Sequence, residues 1–265
     1  MANLQQRSPA WHEARRGKLT ASNLGAALGQ VSYISRAQAF RRAMGTEVFT
    51  GNVATEWGTN NEPNGILAYQ AATGNLVQPT GLHVSSKHNW FAGSPDGLVG
   101  TEGMVEIKCP FYFKRDGSGR LHKSIPGHYF LQINALLEIT DRNWCDYVCW
   151  APEGMAIYRA YRDPELLDFL MPFYGQFYAA VQAQAKGPPP LSSYDRAAIK
   201  DAIEASMAAK VKLDYYSNVD RTASLPEVEY SSDEEPLSKR SKRKRLEISD
   251  DVSNHNESGD ILHTN

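Results

Sequence analysis

Apolar and polar positions alternate through "GMVEIKCP", with Val105 and Ile107 on one side and Glu106 and Lys108 on the other. Residues two apart in a strand share a face, so this stretch reads as a strand with one apolar face and one charged face. The alternation extends back through residues 81–109, broken by Gly and Pro, as in a hairpin or meander. "WCDYVCWAP" and "MAIYRAYR" read as two further strands. Helical spacing dominates elsewhere. Trp11 to about Leu28 predicts a helix, a turn and a second helix capped near Thr20 or Ser22. Residues 36–44 follow the same period, and "NEPNGILAYQAATG" predicts a helix closed by Gly74. "HYFLQINALLEIT" places Phe130, Ile133, Leu136 and Leu137 on one stripe. Residues 164–184 predict a long helix that ends before "GPPP", and about 195–213 a last one. Helices flanking a run of strands make the class α/β or α+β, with no internal repeat.

Length and composition narrow this picture. The 265 residues, 42% of them hydrophobic, suffice for one sizeable core with appendages. No apolar run is long enough to span a bilayer, so no membrane partner is expected. "MANLQQRSPAW" carries no apolar signal core, so secretion is not expected. The three cysteines, Cys109, Cys145 and Cys149, lack paired metal spacing and read as small buried residues of a reducing compartment.

Charge divides the chain. From Asp220 to Asn265 there are 11 acids against 7 bases, whereas residues 1–219 hold 21 bases against 19 acids. The body is mildly basic, which permits an anionic partner without requiring one. From near Tyr215 the chain is rich in Ser, Asp and Glu, too polar to offset the entropy of ordering, and reads as a disordered tail. The expected division is therefore 1–214 and 215–265. Within the tail, Lys239, Arg240, Lys242, Arg243, Lys244 and Arg245 form a basic run, read as a nuclear-import signal, a non-specific nucleic-acid contact or an inert solvated run. Ser231 and Ser232 precede three acids, a pattern favoured by acid-directed kinases.

Candidate chemistry gathers around the first strand. Asp96 lies in the turn "SPDG", ten residues before Glu106. If the two strands pair, Asp96 returns beside Glu106 and Lys108. Two carboxylates and an ammonium in one small volume suit phosphodiester hydrolysis with Mg²⁺ or Mn²⁺, and the Ile107 carbonyl is a further candidate ligand. The same residues also read as a surface Glu–Lys pair beside a turn. Glu62 shares a helical face with Ile66 and Tyr69, which suits either a metal-neutralised carboxylate or a dipole-favoured one near a helix start. Gln132, in an apolar helix, reads as a water-orienting amide or a boundary residue. In "WHEARRGKLTAS", Arg15 and Ser22 read as a phosphate grip or as an arginine beside a plain N-cap.

Taken in order, "WHEARRGKLTAS", "WGTNNE", "AGSPDGLV", "VEIKCPF", "HYFLQINALLEIT" and "WCDYVCWAP" resemble the lambda-type exonucleases, or YqaJ-type viral recombinase nucleases, of the PD-(D/E)XK superfamily. The resemblance covers roughly residues 8–162. It implies a three-layer α/β core, a central mixed β-sheet flanked by helices. It also implies a Mg²⁺-dependent 5′→3′ exonuclease on double-stranded DNA, with one or two ions. Asp96, Glu106 and Glu62 match the metal-binding carboxylates, and Lys108 matches the catalytic lysine. Gln132 sits in the glutamine motif, which reads Gln132-Ile133-Asn134 rather than Gln-x-Gln, so either amide is a candidate. Arg15, Ser22 and Ser94 match contacts to the 5′-phosphate. Pro63 and Gly65 weaken the helix expected at Glu62, which places Glu62 near its start. The family further implies a ring-shaped homotrimer and a single-strand-annealing recombinase partner. The basic tail adds a nuclear import receptor and the nucleus of a eukaryotic host, or the cytoplasm if the run is not an import signal, and with it a DNA virus of a eukaryote or a gene acquired from one. The alternatives are a structure-specific or nicking endonuclease, and an inactive DNA-end-binding scaffold.

Overall fold

The computed structural model describes residue 4 and residues 6–47, 50–112 and 119–218. The chain divides into two units, Met1–Asp220 and Arg221–Asn265. The basic run, Ser231 and Ser232 lie outside the described residues. Helix α1 (Pro9–Arg15) starts on Ser8, whose hydroxyl accepts from the Trp11 backbone N–H at 3.2 Å, with Pro9 at the first helical position. Strand β1 (Leu19–Thr20), a 3₁₀ turn (Ala21–Asn23) and helix α2 (Leu24–Ala27) follow, then α3 (Arg36–Ala43). The second helix expected before Leu28 is thus a single turn. Leu19 and Thr20 are drawn instead into parallel pairing with Phe91 and Ala92.

Helix α4 runs from Val53 to Thr73, so it starts well before "NEPNGIL". A reciprocal cap between Asn52 and Thr55 opens it, and Gly74, at φ 72°, closes it. Pro63 therefore stands mid-helix, and Glu62 is not at the helix start as the sequence suggested. The proline removes one backbone hydrogen bond, to the carbonyl of the exposed Thr59. Gly65 has a packing reason: a Cβ there would lie 2.6 Å from the Ile107 side chain, so its absence lets α4 lie close on the sheet.

Strands β2 (Val77–Gln78), β3 (His83–Val84), β4 (Phe91–Gly93), β5 (Gly97–Val99) and β6 (Gly103–Lys108) follow, and the hairpin or meander expected over 81–109 is two hairpins, β3–β4 and β5–β6, that belong to different sheets. Helix α5 (Gly127–Thr140) leads to β7 (Trp144–Ala151) and β8 (Gly154–Tyr161), then α6 (Pro164–Gln182) and α7 (Ser193–Lys210). Residues 211–218, expected as helix end and tail, form strand β9 (Val211–Asn218) antiparallel to β8. Val211, Leu213 and Tyr215 alternate with polar residues there, a strand period that outlasts the helical one.

The main sheet runs β2-β5-β6-β7-β8-β9, with β6 and β7 parallel and the other pairs antiparallel, and a smaller sheet runs β1-β4-β3. Alternation along the strands feeds two cores. Val105, Ile107, Val148 and Ile157 pack under α4 with Tyr69, whereas Met104, Cys145, Tyr147 and Cys149 face α5. Helices α6 and α7 close over α5, giving the helix–sheet–helix layering of a mixed α/β fold. All three cysteines are free, and Cys145 and Cys149 are buried in the strand they were expected to occupy. Among the described residues, no helix is long and apolar enough to cross a membrane.

Candidate active site

The β5–β6 hairpin pairs Gly97 with Val105, so Asp96 comes to rest across from Glu106. Its carboxylate Oδ2 accepts from the Ile107 backbone N–H at 2.7 Å. Glu106 projects from the face of β6 that meets α5, and is 1% exposed. Its Oε1 accepts from Lys108 Nζ at 2.5 Å and from Gln132 Nε2 at 2.5 Å, while its buried Oε2 has no partner among the described residues. The ammonium of Lys108 also stands 5.0 Å from the ring centre of Tyr129, one turn before Gln132 on α5.

Burial dominates the electrostatics. It holds the Asp96 carboxyl well above the usual carboxylate range, and the facing Glu106 charge adds to the rise. Burial also raises the Glu106 carboxyl, against the pull of Lys108. For Lys108 burial acts downward, but Glu106 and Asp96 outweigh it, so the ammonium is held above its ordinary range. Two carboxyls of raised proton affinity and one firmly charged lysine result.

Gln132 and Asn134 stand roughly 200° apart around the helix. Only Gln132 reaches Glu106. The Asn134 side chain is 2% exposed, donates to the Phe130 carbonyl at 3.2 Å and accepts from the Asp163 backbone N–H at 2.9 Å, at the start of α6. The sequence left these amides undivided because the choice depends on where α6 docks.

Glu62 sits mid-helix on α4, and its Oε2 accepts from Arg7 at 2.5 Å. Glu62, Lys108 and Gln132 line a cavity of about 410 Å³, together with Arg7, Ile107 and Tyr129. Asp96 and Glu106 are not in its wall. Among the described residues, no three His, Cys, Asp or Glu side chains converge on one point. The donor set nevertheless fits a hard divalent cation: a buried carboxylate oxygen on Glu106 without a partner among the described residues, and a second, half-buried carboxylate facing it. Glu62 is held through Oε2 by Arg7, a partner that the sequence did not reveal.

A second cluster lies on α1 and the 3₁₀ turn. Thr20 precedes the turn without a side-chain capping bond. Its hydroxyl accepts from Arg15 Nη2 at 3.2 Å, and the exposed Ser22 hydroxyl accepts from the same nitrogen at 3.5 Å. Burial lowers the Arg15 guanidinium to about 10, and no carboxylate among the described residues pairs with it. A half-buried arginine beside two hydroxyls, with no acid partner among the described residues, keeps donor capacity of the kind an anion takes up. Arg15, Ser22 and, through Trp11, Ser94 belong to this cluster.

The family model for the YqaJ-like viral recombinase domain matches residues 10–143. Among curated proteins, an uncharacterized protein of Acanthamoeba polyphaga mimivirus is 27% identical over 157 residues, 54% of this chain and 29% of the relative. The chain thus spans less than a third of that protein's length. Among solved structures, an alkaline exonuclease of Laribacter hongkongensis, LHK-Exo, is similar at TM-score 0.58 and 29% identity, over 67% of this chain and 94% of the other. A structure of LHK-Exo in complex with dAMP is similar at TM-score 0.56 and 27% identity, over the same shares.

Proposed function

Because the chain belongs to the YqaJ-like viral recombinase domain family, we propose that it is a metal-dependent exonuclease that degrades linear double-stranded DNA from its 5′ ends. The cluster of Asp96, Glu106, Lys108 and Gln132, with the buried Glu106 Oε2 that has no partner among the described residues, carries this reading. The likeness to an alkaline exonuclease supports it.

Asp96 and Glu106 would hold Mg²⁺ or Mn²⁺, joined by Glu62 and the Ile107 carbonyl. Such an ion supplies a Lewis acid for the phosphoryl oxygen and a bound water of lowered pKa. Lys108 offers a fixed positive charge to the anionic transition state, and its ammonium is pre-positioned because Glu106 already holds it. Gln132 fixes the Glu106 carboxylate and keeps one oxygen oriented for the ion. Arg15, Ser22 and Ser94 would grip the terminal 5′-phosphate and so set which bond is cut. A covalently closed circle tests the exonuclease reading against an endonuclease: it is expected to survive conditions that consume the linear duplex. A ring-shaped trimer, a single-strand-annealing partner and nuclear import in a virus-infected host remain parts of the same proposal. The mimivirus relative supports the viral setting.

Two expected results follow from the site. Gln132→Ala slows digestion roughly 10- to 100-fold, a loss typical for a residue that orients a ligand. Asn134→Ala instead destabilises the fold by about 1–3 kcal/mol, because the Asp163 N–H loses its acceptor. Parallel kinetics and melting of both variants check the division of labour. If Asn134→Ala costs the rate and Gln132→Ala does not, the assignment is reversed.

The second concerns pH. Carboxyls raised in the folded state bind protons more readily there than in the unfolded chain. The metal-free protein therefore loses stability as pH rises from the ordinary carboxylate range, about 4, through the raised values. A divalent cation competes with those protons. The rise in melting temperature on adding Mn²⁺ is expected to grow from about pH 5 to about pH 8. A rise that is flat or shrinks with pH would count against Asp96 and Glu106 as ligands.

A further inference from the structure

Trp11 contacts two of the residues proposed to grip the phosphate, Arg15 and Ser94. Its ring lies 4.1 Å beneath the Arg15 guanidinium carbon, one helical turn on. Its indole Nε1–H donates to the Ser94 hydroxyl at 2.9 Å, across 83 residues of sequence. Ser94 lies two residues before Asp96, at the entry to the hairpin that carries the carboxylates. One rigid side chain therefore joins α1 to the β4–β5 turn.

Each contact has a chemical consequence. A ring face beneath a guanidinium fixes its plane and favours its charge. An N–H that fills a lone pair of the Ser94 hydroxyl leaves that hydroxyl's own hydrogen free to donate to an anion. Arg15 is meanwhile turned toward Thr20 and Ser22. Resting on the 5′-end reading above, we propose that Trp11 is a positioning residue: it orients Arg15 and Ser94 toward the terminal phosphate and sets that pocket at a fixed distance from Asp96. Trp11 contributes to recognition of a phosphorylated end through these two residues, without being part of the bond-breaking machinery.

The readout is the ratio of digestion rates on linear duplexes with 5′-phosphate and 5′-hydroxyl ends. Wild type is expected to favour the phosphate. Trp11→Phe keeps an aromatic face but loses the N–H, and is expected to reduce the ratio roughly 3- to 10-fold. Trp11→Ala loses both contacts and is expected to reduce it roughly 10- to 100-fold, with a smaller change on hydroxyl ends. If the indole acts through Ser94, adding Trp11→Phe to Ser94→Ala changes the ratio little further. A Trp11→Ala protein that keeps the wild-type ratio while both rates fall equally would make Trp11 merely structural. So would strictly multiplicative effects of Trp11→Phe and Ser94→Ala. Both results would leave the pocket intact and overturn only this inference. A wild type that digests both ends equally overturns the pocket and the inference together.

Discussion

Lys108→Ala is expected to slow digestion of linear duplex DNA by about 10²- to 10⁴-fold at saturating Mg²⁺, with the protein still folded. The size follows from where the ammonium sits. It is bonded to the buried Oε1 of Glu106, and the nearby Asp96 charge helps hold it protonated. Removing it takes a positive charge from the place where a phosphoryl group would gain negative charge. It also leaves two facing carboxyls without the cation that lowers their proton affinity, so they rise further. Some activity is therefore expected to return at higher pH and higher metal concentration, as the ion takes over part of the lost charge. Steady-state rates across metal concentration and pH, with melting curves for folding, check this. A Lys108→Ala enzyme at near wild-type rate would remove the lysine from the mechanism.

The largest expected effect on stability lies on the other face of the sheet. Asp146 is fully buried on β7 and faces Arg159 across the β7–β8 pair. Arg159 donates to it twice, at 2.8 Å each, and the Tyr69 hydroxyl donates at 2.7 Å. Arg159 also stacks 4.0 Å over the Trp144 ring. Asp146→Ala leaves a half-buried guanidinium and a buried phenol without an acceptor, and α4 loses one of its polar ties to the sheet. The expected cost is about 3–5 kcal/mol, since breaking one side of a buried pair strands the other. Asp146→Asn keeps an acceptor for one donor and should fall between. Denaturant unfolding measures both; a loss under about 1 kcal/mol for the alanine variant would mean that water replaces the carboxylate.

Legibility in the sequence followed the range of the interactions. The triad of Asp96, Glu106 and Lys108 was readable because strand alternation and one hairpin return determine it within a dozen residues. The layered α/β class and most strands and helices were readable for the same reason, and the ordered motifs pointed to the family. Helix α4 was misjudged at its start because Pro63 and Gly65 argue locally against a helix. Packing reverses both arguments: Asn52 and Thr55 supply the cap, and Gly65 makes room for Ile107. Strand β9 was missed because its partner, β8, lies some fifty residues earlier in the chain. Contacts that tune the site were harder still. Arg7 reaches Glu62 across 55 residues and Trp11 reaches Ser94 across 83, and no local period signals either. Trp11 and Arg15, four apart on a helix, did carry a signal for their stacking.

A time course on a linear duplex labelled at either its 5′ or its 3′ end, with and without Mg²⁺, tests the proposed activity most directly. Mononucleotides carrying the 5′ label are expected at the earliest times, while the 3′ label stays in long, slowly shortening strands, and nothing is released without the metal. Early release of the 3′ label, internal cuts that leave both labels on fragments, or equal digestion without divalent metal would contradict it.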